Sequence, residues 1–157
     1  MTKYVLSLDG GGVRGLATAN FLRKLEFEMH KPILDKFDLV CGSSTGGILA
    51  IALSVLKLNG SRLVNIYSSR NLKKIFSTVM PRIIGPKYGS RRKNNILKEY
   101  FGTLALDEAE VPAIVVAYDL KKRSTKLFKT FEDRDLMAWK VASATSAAPT
   151  FFPAVRI

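Results

Sequence analysis

Apolar positions follow two rhythms along this chain. Tyr4 to Leu8 is a short, β-favouring apolar run that stops at Asp9-Gly10-Gly11-Gly12, which predicts a strand entering a tight turn. From Leu16 to Met29 the apolar residues recur at helical spacing (Ala19, Leu22, Leu25, Met29), with polar residues between them. Phe37 to Cys41 reads as a second buried strand, entered through Asp35 and Asp38. Gly42 to Gly47 is a turn of small residues. Ile48 to Leu58 is apolar on every side, as a helix inside the protein would be, and Asn59-Gly60 is a fitting stop for it. Strand, glycine turn, helix, strand, small-residue turn, helix is a doubled βα pattern. It predicts a parallel sheet covered by helices, with right-handed crossovers.

The second half is less regular. Leu63 to Phe76 has helical spacing, Met80 to Ser90 holds two prolines and two glycines and reads as loop, and Asn95 to Phe101 reads as a short helix. Val111 to Tyr118 predicts a third strand, Lys121 to Ser124 a turn, and Thr125 to Thr130 an alternating fourth strand. Asp133 to Ala144 predicts a helix, after which Pro149 and Pro153 bracket an extended Thr150-Phe151-Phe152. No internal repeat or linker interrupts the pattern.

A length of 157 residues fits one domain, 1–157, at roughly 150 residues per domain. With 47% hydrophobic and 24% charged residues the composition is globular, which excludes a disordered or collagen-like chain. The single cysteine, Cys41, excludes a disulfide framework and suits a reducing compartment. The first apolar stretch is cut short by Asp9, so it does not read as a signal peptide. The longest uncharged run, Val40 to Leu56, is 17 residues with seven Gly, Ser or Thr, too short and too polar for a membrane span. The expectation is a soluble cytoplasmic protein without a transmembrane segment.

Charge adds one feature. The net charge is +12, and Lys57 to Lys98 holds 11 Lys or Arg with no Asp or Glu, Arg91-Arg92-Lys93 among them. Such a field favours anionic surfaces, so peripheral contact with an anionic membrane stands beside the plainer reading of a solvated face.

Two turns carry chemistry. Gly10-Gly11-Gly12-Val13-Arg14-Gly15 fits G-x-G-x-x-G between a strand and a helix. A dinucleotide fold would also want an acidic residue at the end of the second strand, where Cys41-Gly42 stands instead. A P-loop is excluded, because neither glycine turn ends in Gly-Lys-Ser/Thr. What survives is an anion cradle: backbone N–H groups at a helix start, with the Arg14 charge beside them. The second turn, Gly42-Ser43-Ser44-Thr45-Gly46, is a G-x-S-x-G at the junction of a buried strand and a buried helix. Only Ser44 fits the nucleophile frame, with glycines on both sides to relieve crowding. The two turns end neighbouring strands, so nucleophile and oxyanion donors would share one crevice. The only histidine, His30, precedes Ser44 and reads as a helix-end residue, so a Ser-Asp-His order is excluded within this chain. One Cys and one His offer no metal-ligand cluster, and no cofactor is implied.

These residues resemble the patatin-like phospholipases, which use a Ser-Asp dyad. Leu6 to Gly15 is similar to the family's oxyanion-hole segment and Phe37 to Gly47 to its nucleophile segment. Lys87-Tyr88-Gly89 with Leu97-Lys98-Glu99, and Ala144 to Pro153, resemble two further stretches in family order. The resemblance implies an α/β three-layer sandwich with a mostly parallel central sheet. It implies a lipid acyl hydrolase, a phospholipase A or nonspecific acyl ester hydrolase, acting on phospholipid or another acyl lipid, and no nucleic-acid partner. Ser44 would be the nucleophile, with Gly10, Gly11, Gly12 and Arg14 forming the oxyanion hole. The family's catalytic Asp lies in an Asp-Gly-Gly or Asp-Gly-Ala turn after the last of these segments. Here none of Asp107, Asp119, Asp133 and Asp135 is followed by Gly. The expectation is therefore a patatin-like domain cut short at its C-terminus, with Asp119 the best substitute base within the chain. A catalytically inactive lipid- or anion-binding remnant of the same fold is the alternative.

Overall fold

The computed structural model describes residues 2–76 and 85–157. Its four strands, β1 (Val5–Leu8), β2 (Leu39–Ser43), β3 (Ala113–Asp119) and β4 (Ser124–Lys129), form one sheet in that order. The first three run parallel and β4 returns antiparallel beside β3. This is the α/β class with a mostly parallel sheet that the doubled βα pattern predicts. The register pairs Leu6 with Val40 and Val40 with Ala113. Leu6, Leu8, Val40, Gly42, Ala113 and Val115 therefore share one face, and all are buried.

On that face lies α2 (Thr45–Ser54), buried at every position, touching β1, β2 and β3. The helix α6 (Ala138–Thr145) packs beside it against β3. The amphipathic α1 (Gly15–Met29) packs on α2 and on α3 (Gly60–Ile66), while α4 (Ser69–Ile75) and α6 both pack on α5 (Ser90–Phe101). The opposite face of the sheet carries Val5, Leu39, Cys41, Ile114, Val116, Tyr118 and Leu127, all half-buried or exposed, Tyr118 at 61%. Burial in that face raises the Cys41 thiol pKa above its ordinary value.

Several boundaries differ from expectation for local reasons. The helix expected over Ile48 to Leu58 begins at Thr45, directly after Ser44, and ends at Ser54. Asn59 is a start signal, because its side chain accepts the Arg62 N–H at the head of α3. The helical stretch from Leu63 to Phe76 is two helices, broken where the Ser68 hydroxyl accepts the Asn71 N–H. The helix expected from Asp133 starts only at Ala138, since Asp133 instead accepts the Lys129 N–H and binds the Lys126 ammonium in a turn after β4. Thr150-Phe151-Phe152 is a turn, with Thr150 at φ 67° and the N–H groups of Phe151 and Phe152 both bonded to Ala148 O. Residues 77–84 lie outside the described residues, and with them the first half, 80–84, of the loop expected over Met80 to Ser90.

Candidate active site

Ser44 sits between the last residue of β2 and the first of α2 with φ 52° and ψ −120°. A side-chain-bearing residue in that region stores roughly 1–3 kcal/mol of strain. The strain is tolerated because the turn has no other space. A methyl at Gly42 would lie 2.3 Å from Gly46 O, and one at Gly46 would lie 2.0 Å from Leu8 O. The strand–turn–helix junction thus closes only around two glycines, the crowding relief the G-x-S-x-G frame anticipates.

The parallel pairing of β1 with β2 brings the two glycine turns together. A methyl at Gly10 would stand 3.0 Å from Ser44 Cβ and 3.1 Å from Ser43 O, so the loop leaving β1 lies against the serine. The Gly11 N–H donates to Thr45 Oγ1 at 3.1 Å, a bond across the two turns. Gly12 opens a single 3-10 turn (Gly12–Arg14) at φ 58°. Arg14 folds back so that its Nε donates to Gly11 O at 3.4 Å, leaving its exposed guanidinium at the loop. Of the expected oxyanion donors, then, Gly11 is bonded to Thr45, while the Gly12 N–H has no partner among the described residues.

Three residues of the site escaped sequence reasoning. Thr45 bridges both turns. Tyr67, at the end of α3, donates its hydroxyl to Thr45 O at 3.1 Å and packs so tightly under Gly15 that a methyl there would lie 2.7 Å from the ring. Burial drives the Tyr67 phenol pKa well up. Thr145, in the last turn of α6, accepts the Ser44 N–H at 2.8 Å and donates to Val116 O at 2.6 Å. Its only sequence signal was its place in the Ala144 to Pro153 stretch, since a helix-end threonine has no distinctive spacing.

Asp119 sits at the β3–β4 hairpin, where one carboxylate oxygen accepts the Lys121 and Lys122 N–H groups at 2.8 and 3.0 Å. These bonds hold its pKa below the usual carboxylate value. No Asp, Glu or His among the described residues hydrogen-bonds Ser44. His30 caps α1 in a left-handed conformation and is exposed. Among the described residues no group of three or more His, Cys, Asp or Glu is placed to hold a metal ion. Lys93, which the sequence groups with the exposed Arg91 and Arg92, is instead buried at 3% exposure. No helix of the described residues is long and apolar enough to cross a membrane.

Comparison with known proteins places this geometry. The chain is similar to VipD from Legionella pneumophila, with a TM-score of 0.65 at 12% identity over 96% of this chain and 43% of that one. It is also similar to ExoU from Pseudomonas aeruginosa in its complex with SpcU, with a TM-score of 0.60 at 15% identity, covering 96% and 39% of the two chains. At these identities the likeness concerns the fold. In sequence it is 34% identical over 177 residues to patatin-like protein 2 of Oryza sativa subsp. indica, covering 96% of this chain and 44% of the relative. It is 33% identical over 166 residues to a cGAMP-activated phospholipase of Pseudomonas aeruginosa, covering 99% and 50%. The chain thus spans at most half the length of these relatives. The model of the patatin-like phospholipase family matches residues 6–157, both glycine turns included. With the strained serine, the glycine loop against it and this match over nearly the whole length, the chain belongs to the patatin-like phospholipase family.

Proposed function

We propose that this chain carries the nucleophile and oxyanion-binding part of a lipid acyl hydrolase. The observation that carries the reading is Ser44 itself, a non-glycine residue at φ 52° on a strand-to-helix turn with the Gly10 loop packed against it. Strain of this kind at a junction that also holds backbone donors is characteristic of a working site. In the proposed reaction Ser44 Oγ attacks the ester carbonyl of a phospholipid or other acyl lipid and its proton passes to a general base. The carbonyl oxygen takes up the negative charge. The Gly12 N–H is available to it, and the Gly11 N–H can exchange Thr45 Oγ1 for it, with Gly10 shaping the loop and Arg14 adding positive potential. The alcohol leaves with a proton from the conjugate acid of the base. Water then attacks the acyl-enzyme, giving the fatty acid and restoring Ser44.

The Ser-Asp dyad that the resemblance implies asks for a carboxylate at Ser44, and Asp119 is engaged at the hairpin. That engagement favours one second reading, a lipid- or anion-binding domain with little turnover. Positioning and electrostatics alone can leave residual catalysis. The exposed cations Arg70, Lys73, Lys87 and Arg91 support peripheral contact with an anionic lipid surface in either reading. A fluorophosphonate probe tests the proposal. Labelling that disappears in Ser44→Ala and survives in Asp119→Asn supports an assembled nucleophile whose base is not Asp119. Absence of labelling at Ser44 would leave the binding domain.

A further inference from the structure

Lys93 lies in the first half of α5 with its ammonium inside the protein. Its Nζ donates to Ser143 O at 3.0 Å and to Ser146 Oγ at 3.1 Å, and stands 4.6 Å from the centre of the Phe152 ring. An ammonium has three N–H donors, and here each has a destination: a carbonyl, a hydroxyl and an aromatic face. No carboxylate among the described residues pairs with it. Its compensation comes instead from the C-terminal end of α6, where carbonyl groups concentrate partial negative charge. The next residue repeats the grip, since Asn94 Oδ1 accepts the Ser143 hydroxyl at 2.6 Å. The Ser146 hydroxyl in turn donates to Ala142 O at 2.7 Å. Lys93 and Asn94 therefore fasten the last turn of α6 through backbone and side chain together.

Between these two fastened residues, one before Ser146 and two after Ser143, comes Thr145. Its hydroxyl meets the Ser44 N–H and Val116 O. A methyl at Gly47 would lie 2.8 Å from Thr145 Oγ1, so the side chain is also wedged against the first turn of α2. An apolar side chain could fill the space of Lys93 without the cost of burying a charge. What it could not supply is directed donors at the end of α6.

We propose that Lys93 is a positioning residue for the Ser44 elbow: by pinning the last turn of α6 it holds the Thr145 hydroxyl on the Ser44 N–H. The consequence for reactivity rests on the reading of Ser44 as a nucleophile, whereas the pinning itself does not. Displacements near 1 Å in a reacting geometry can cost on the order of 10²-fold in rate.

The experiment uses the full chain and two readouts, amide hydrogen exchange at Ser44 by NMR and fluorophosphonate inactivation resolved into an affinity and a maximal rate. In Lys93→Met, protection of the Ser44 amide is expected to fall at least about tenfold. The maximal inactivation rate should drop by about 10–100-fold with the affinity nearly unchanged. Thr145→Val should reproduce both losses, and Thr145→Ser, which keeps the hydroxyl, should retain the parental protection and rate. Lys93→Gln, neutral but still an N–H donor, replaces Lys93→Met if that variant does not fold, and should fall between it and the parent. A folded Lys93 variant with parental protection at Ser44 overturns the proposal, whatever its labelling. Failure of the unsubstituted chain to label at Ser44 overturns the hydrolase reading instead, and the exchange measurement still judges the clamp.

Discussion

Gly46 is where the fold and the site depend on the same missing atom. A Cβ there would stand 2.0 Å from Leu8 O, 2.5 Å from Leu8 C and 2.8 Å from Asp9 O, all backbone atoms at the end of β1. An ordinary carbon–oxygen contact lies near ~3.4 Å, so Gly46→Ala must drive the helix and the strand more than ~1 Å apart. The neighbours cannot rotate away as a side chain could. Added volume in a packed interior typically costs about 1–3 kcal/mol and occasionally more. Three backbone atoms inside contact distance put Gly46→Ala at the top of that range or just above it, about 3–4 kcal/mol, offset by about 1 kcal/mol of helix propensity gained on replacing Gly by Ala. The expected net loss is about 2–3 kcal/mol, or roughly 5–10 °C in Tm for a chain of this size. The control is Gly12→Ala: Gly12 also has a special conformation, φ 58°, but open space around the added methyl. Only the left-handed backbone then counts, at about 1–2 kcal/mol. Thermal and urea unfolding followed by circular dichroism would compare them, and Gly46→Ala should also lose Ser44 labelling as the Gly10 loop shifts. A Gly46→Ala midpoint equal to or above that of Gly12→Ala would mean that the backbone at the end of β1 yields to the added methyl at little cost.

Tyr67→Phe removes the hydroxyl that serves Thr45 O and should cost about 1–2 kcal/mol in urea unfolding with little change in secondary structure. Burial lowers the Lys93 pKa from 10.5 to about 8, so between those values the unfolded chain binds the extra proton and stability rises with pH. The gain attributable to Lys93 should reach roughly 3 kcal/mol across that window and be absent from Lys93→Met, so a difference between the two chains that is flat from pH 8 to 10.5 would contradict it. Charge reversal at the exposed Arg70, Lys73 and Arg91 should weaken sedimentation with anionic vesicles by about tenfold or more, and added salt should weaken the parent likewise. Binding that is unchanged by either treatment would return these residues to a solvated face.

The strands themselves and the placing of the two glycine turns side by side were legible in the sequence because both depend on local chemistry. Gly42 and Gly46 mark a turn with no room for a Cβ, Gly12 marks a left-handed backbone, and the buried Leu6, Val40 and Val115 mark the strands. Helix limits were less legible. Asn59-Gly60 has the composition of a stop and of a start alike, and only the Arg62 N–H decides between them. Thr145 lies 101 residues from the Ser44 N–H it accepts, a partnership no spacing rule reaches. Lys93 was hidden for a related reason: beside Arg91 and Arg92 it reads as one cation among many, and its burial follows from α5 packing on α6.

The open face of the sheet and the excess of positive charge together govern the colloidal behaviour of the chain. Val5, Tyr118 and Leu127 present apolar surface, at 55%, 61% and 42% exposure, while every molecule repels every other through a net charge of +12. Repulsion acts over a Debye length of about 10 Å in 0.1 M salt and only about 3 Å in 1 M. Apolar contact is strengthened by sulfate or phosphate rather than screened. Concentrated salts of that kind therefore remove the barrier and deepen the attraction in the same step. Among the described residues no strand pairs beyond β1 or β4, and these outer edges give molecules that meet a register in which to join.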